Sequence, residues 1–71
     1  MSTVTMKARV ISVRDGGLLV RDCRGDREVD VHTAHAFRFQ TGDLICLTYD
    51  GTMTRSIPPQ IRAAAIRRLP T

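Results

Sequence analysis

The sequence predicts an all-β fold: a small five-stranded antiparallel barrel with at most one short helix, between the third and fourth strands. Three observations carry that expectation. Apolar residues recur at alternate positions, as in Val4, Met6, Ala8 and Val10 set between Thr5, Lys7 and Arg9, which is the period of a half-buried strand. Each apolar run is closed by turn residues: Asp15-Gly16-Gly17, Arg24-Gly25-Asp26, Gly42-Asp43 and Asp50-Gly51. A chain of 71 residues reads as one domain, 1–71, with a core only one layer thick.

Val4–Arg14 is the first strand. Its alternation slips once, at Val10-Ile11, and resumes with Ile11 and Val13 against Ser12 and Arg14. One slip inside a long strand marks a β-bulge, which bends the strand and lets it serve two sheets. Asp15-Gly16-Gly17 then turns the chain, its glycines accepting positive φ. Leu18–Cys23 forms the second strand. Arg24-Gly25-Asp26 is a tight turn whose glycine takes the awkward dihedral. Arg27–His32 is the third strand, with Val29 and Val31 inward and Glu28, Asp30 and His32 outward.

Thr33–Gln40 lacks a clean period and holds two of the three aromatics, Phe37 and Phe39. It reads as a short helical connector capped by Thr33, with both phenylalanines plugging the end of the barrel. Leu44–Tyr49 is the most apolar segment and the fourth strand. Asp50-Gly51 signals a hairpin, so Thr52–Arg55 is expected to return antiparallel.

Residues 58–69 pull two ways. Pro58, the run Ala63-Ala64-Ala65 and the spacing of Ile61, Ala65 and Leu69 favour a helix. Period two instead places Ile61, Ala63 and Ala65 on one side of a final strand, the strand a barrel needs to close. Propensity yields to tertiary context, and we read a strand. The expected core is Val10, Ile11, Val13, Leu18, Val20, Val29, Val31, Leu44, Ile45, Leu47 and Ile61.

This order of elements resembles a minimal OB-like (or SH3-like) barrel. Phe39-Gln40-Thr41-Gly42-Asp43-Leu44 is similar to the aromatic-x-x-Gly-Asp step into the fourth strand of S1-like OB domains. Gly42-Asp43, Tyr49-Asp50-Gly51 and Ser56-Ile57-Pro58-Pro59-Gln60-Ile61-Arg62-Ala63 resemble the second half of the YobA-like bacterial domains of unknown function. That resemblance implies a barrel and a C-terminal strand. It transfers no catalytic residue.

Charge is unevenly placed. Residues 1–50 carry seven cations and seven carboxylates, whereas residues 51–71 carry Arg55, Arg62, Arg67 and Arg68 with no carboxylate, so the net charge of +4 lies at the C-terminal end. Ten of the eleven cations are arginine, the side chain suited to bidentate contacts with phosphate or carboxylate. Arg55, Arg62, Arg67 and Arg68 are therefore the candidate binding face. Their expected partner is nucleic-acid phosphate or an acidic protein surface.

Other chemistry finds little footing. Cys23 and Cys46 are too few for a disulfide scaffold and read as reduced, buried thiols. With His32 and His35 they lack the paired close spacing of a zinc site, and no metal or other cofactor is expected. No motif sets a nucleophile beside a base, so no enzyme is expected. Met1–Arg9 lacks the pattern of a signal peptide and no apolar run approaches the ~18 residues of a membrane span, so a cytoplasmic protein with no membrane partner is expected.

Two classes of binding module then remain. The first is protein-binding, an adaptor or inhibitor using exposed strand edges; small phage-borne antagonists, anti-CRISPR proteins among them, have this size. The alternative is a nucleic-acid-binding OB-fold protein using its basic C-terminal face. For that alternative the usual second- and third-strand surface is poorly equipped, since Arg21, Glu28, Asp30 and His32 make it mixed in charge and free of aromatics.

Overall fold

A computed structural model describes residues 2–70 and places six strands in one sheet, ordered β5-β3-β2-β1-β4-β6. They are β1 (Val4–Arg14), β2 (Gly17–Asp22), β3 (Glu28–His32), β4 (Leu44–Tyr49), β5 (Gln60–Arg62) and β6 (Ala65–Arg68). A single 3₁₀ turn, Ala36–Arg38, lies between β3 and β4. The class is the expected all-β, OB-like barrel, with the last strand divided in two.

The slip in the alternation of β1 is a bulge. Its register with β2 shifts between Val10 and Ser12, leaving Ile11 as the extra residue. On one side of the bulge β1 pairs β4, from Val4 opposite Tyr49 to Arg9 opposite Leu44. Around and beyond it β1 pairs β2, from Ala8 opposite Asp22 to Arg14 opposite Gly17. One bent strand thus feeds both halves of the sheet.

The C-terminal segment is extended, as read, but its two pieces go to opposite edges. β5 runs parallel to β3, with Val31 opposite Ile61 and His32 opposite Arg62. β6 runs antiparallel to β4, with Leu47 opposite Ile66. Two consecutive amides make the transfer: Ala63 N–H donates to His32 O at 3.2 Å and Ala64 N–H to Thr48 O at 2.8 Å. The chain itself therefore bridges the sheet's two outer strands.

Several expectations are corrected here. Thr52–Arg55 is not a strand, because β6 already occupies the free edge of β4. That loop is instead folded on itself: Thr54 N–H donates to Gln60 O at 3.1 Å and Gln60 N–H to Thr54 Oγ1 at 2.9 Å. The bend at Ala63-Ala64 also reverses the alternation, so Ile66 rather than Ala65 packs on the core and Ala65 is exposed. In the Arg24-Gly25-Asp26 turn the positive φ, 53°, belongs to Asp26. Thr33 does not cap the 3₁₀ turn; its Oγ1 accepts from His35 N–H at 3.1 Å, one step earlier.

The core comprises Met6, Ala8, Val10, Leu18, Val20, Val29, Val31, Ala36, Phe39, Ile45, Leu47, Tyr49 and Ile61. Ile11, Val13 and Leu44 are only half-buried. Ile11 is the bulge residue, and Leu44 stands opposite the exposed Arg9, so it shares the outward face. The thiols are not buried either. Cys23 is exposed in the turn after β2, and Cys46, opposite Lys7, is half-buried on the outward face of β4.

Candidate functional site

Three ion pairs lie along β2, β3, the turn between them and the adjoining end of β1. Arg14 meets Asp30 at 3.6 Å, and Arg21 meets Asp26 at 3.4 Å and Glu28 at 3.2 Å. Both arginines are thereby matched to carboxylates. The surface on which an OB-like barrel would ordinarily receive an oligonucleotide is largely self-neutralised.

The four C-terminal arginines do not form one face. Arg68 stands opposite the inward Ile45, at the end of the barrel, where its half-exposed head group makes three contacts. Its Nε donates to Asp43 Oδ2 at 3.0 Å, its Nη2 to Arg38 O at 2.6 Å, and its guanidinium lies 5.9 Å from the centre of the Phe39 ring. Asp43 Oδ2 also accepts Gln40 N–H at 2.8 Å. The Gln40 amide holds the Asp43 carboxyl below its ordinary 3.8; partial burial opposes this, and the hydrogen bond and charge of Arg68 add to it. Arg68 is thus a latch that ties β6 to the β3–β4 connector. The expected sharing of one outward face by Arg62 and Arg68 is corrected, because the bend at Ala63-Ala64 lies between them.

Arg55 is exposed in the loop between β4 and β5. Arg67, opposite Cys46, points outward over a shallow depression lined by Thr5, Cys46, Thr48 and Ile66. Arg62 is placed differently. It stands beside His32 across the β3–β5 pairing and lines a cleft of about 550 Å³ with His32, Thr33, His35 and Arg38. Gly16, Ala34, Phe39, Ala63, Ala64, Ala65 and Ile66 supply the apolar part of the wall. No carboxylate lines this cleft, and none of Arg38, Arg55, Arg62 and Arg67 belongs to an ion pair among the described residues.

Local structure explains how those groups converge. Gln60 on β5 accepts a hydrogen bond at 2.8 Å through Oε1 from His32 Nε2, which fixes the imidazole at the end of β3. A 3₁₀ turn has three residues per revolution, so residues three apart lie above one another. Ala36 and Phe39 therefore share the face turned to the core, and both are buried. His35 and Arg38 share the face turned to the cleft. The sequence carries this as His32, His35 and Arg38 at intervals of three. Weighing the two histidines together as metal ligands, and His32 as part of the β3 surface, leaves Arg38 out. Among the described residues no group of three or more His, Cys, Asp or Glu is placed to hold a metal ion.

The fold is that of known OB domains. The second OB-fold domain of replication protein A from Methanococcus maripaludis, a solution NMR structure, superposes with a TM-score of 0.66 over 99% of this chain and 86% of that one, at 14% sequence identity. No family model matches the chain, and no curated protein matches its sequence. The YobA-like resemblance accordingly rests on residues 42–63 alone. No helix among the described residues is long and apolar enough to cross a membrane.

Proposed function

We propose that this chain is a non-catalytic module that binds the phosphate backbone of nucleic acid through the cleft between β3, β5 and the 3₁₀ turn. The observation that carries this reading is the lining of that cleft, in which Arg38, Arg62, His32 and His35 converge with no carboxylate among them. Arg38 and Arg62 belong to no ion pair among the described residues, and such groups acquire counterions that a polyanion displaces, with a gain in entropy. Guanidinium groups then give charge-assisted, bidentate hydrogen bonds to phosphate oxygens. The likeness to an OB-fold domain of a replication protein and the general use of OB barrels as oligonucleotide binders support the same class. The adaptor or inhibitor reading rests on exposed strand edges, and the outermost strands here, β5 and β6, are only three and four residues long.

The test is a titration of labelled single- and double-stranded oligonucleotides with the wild-type chain and two charge reversals. Arg62→Glu should weaken binding by about 10-fold or more, on the order of 1.4 kcal/mol. Arg24→Glu makes the same change in charge in the turn after β2 and should have a much smaller effect. Because Arg62 is exposed and unpaired among the described residues, its melting temperature should stay near that of wild type. Wild-type chain that binds neither oligonucleotide, or equal losses in the two variants, would overturn the reading.

A further inference from the structure

Phe37 is 75% exposed on a chain with only two other aromatic residues, Phe39 and Tyr49, both of which are buried. Its position is not that of a frayed loop. The 3₁₀ turn assigns one face to the core, through Ala36 and Phe39, and one to the cleft, through His35 and Arg38. Phe37 alone occupies the third face. It is directly preceded by a buried residue and directly followed by a cleft arginine, so its backbone is anchored while its ring is left to solvent. The Arg68 head group anchors the same segment from the other side through Arg38 O. An aromatic ring held in this way covers no part of the protein's own core.

We infer that Phe37 is a base-stacking residue, and that it makes the cleft selective for single-stranded over double-stranded nucleic acid. This rests on the phosphate-binding reading above and deepens it. Consecutive Cα atoms are about 3.8 Å apart, so a strand whose phosphate meets Arg38 carries its neighbouring base into the vicinity of residue 37. Every base has an apolar π-face, and an unpaired one gains by covering an exposed ring. Bases inside a duplex are already stacked on both faces and have none to offer. The platform lies on the β3–β4 connector rather than on the β2–β3 surface, where Arg14 and Arg21 are consumed by Asp26, Glu28 and Asp30. The proposed phosphate contact and the proposed base contact then share one end of the barrel.

The experiment compares two fluorescein-labelled strands of about 12 nucleotides, an oligothymidine and a fully abasic strand of equal length with the same phosphates. Fluorescence anisotropy is read for wild type, Phe37→Ala, Phe37→Trp and Arg62→Glu. Wild type should bind the oligothymidine more tightly than the abasic strand. Phe37→Ala should lower oligothymidine affinity about 10-fold, the size of one stacked base, and leave abasic binding unchanged. Phe37→Trp should restore or exceed wild-type affinity. Arg62→Glu should weaken both strands alike. Unchanged oligothymidine binding by Phe37→Ala, or equal loss on both strands, overturns the stacking role and leaves the phosphate reading standing. If the wild-type chain binds neither strand, both fall.

Discussion

Gly17 is the residue whose side-chain-free backbone the barrel most needs. A Cβ built there would lie 2.9 Å from the carbonyl oxygen of Val31, and that oxygen belongs to the backbone of β3, paired alongside β2. It cannot retreat without disturbing the β2–β3 pairing. Gly16 differs: its φ of +77° suits glycine, but a Cβ there would meet nothing within 4 Å. Gly17→Ala should therefore cost about 1–3 kcal/mol through overpacking, and Gly16→Ala about 1 kcal/mol through backbone strain alone. Equal costs in urea denaturation would mean that the Val31 carbonyl gives way easily. Val31 is fully buried between Leu18 of β2 and Ile61 of β5, so Val31→Ala should cost about 1–3 kcal/mol, and near-wild-type stability would take it out of the core. The turn at Asp15-Gly16-Gly17 was legible from composition. Which glycine is sterically required was not, because the decisive neighbour lies on another strand. For the same reason Phe37 and Phe39 looked equivalent until the 3₁₀ turn separated their faces.

At the scale of elements, β1 with its bulge and β2 to β4 were readable because alternation and turn residues agree there. The C-terminal third was only half readable. Its extended character followed from the need for a closing strand, against a helical propensity set by three alanines. Its division at Ala63-Ala64 did not, since the two ladders are chosen by distant edges, β3 and β4. That division also decides which arginines are free, and it puts Arg68 into a latch with Asp43. The latch makes a pH prediction with a definite sign. The Asp43 carboxyl is held below its ordinary 3.8 in the folded state, so the folded chain binds that proton less readily than the unfolded one. The stabilisation is complete above the unfolded value of about 3.9 and is lost as pH falls through the lower folded value. Asp43→Asn should consequently melt below wild type at neutral pH, with a gap that is constant from about pH 5 to 8. The two curves should converge in acid, where the wild-type carboxyl is itself neutral. A gap that persists unchanged into acid would mean that the charge on Asp43 contributes nothing.

Over the whole molecule, the seven carboxylates are not spread evenly around the barrel. Asp26, Glu28 and Asp30 neutralise arginines on β2 and at the end of β1, and Asp43 neutralises Arg68. What remains unpaired among the described residues includes Arg38 and Arg62, which line one cleft free of carboxylates. That makes ionic strength a readout of site size. Binding through a few guanidiniums releases a few counterions, and for single strands the slope of log K against log salt is about −0.7 for each neutralised phosphate. Under the proposed function, two phosphates at Arg38 and Arg62 should give a slope of about −1.4. Arg62→Glu should make it shallower by about 0.7, whereas Phe37→Ala should lower affinity and leave the slope as it was, because stacking releases no ions. A slope several times steeper would mean that Arg55, Arg67 and the turn arginines all take part, and that binding follows the overall charge of the chain instead of the cleft.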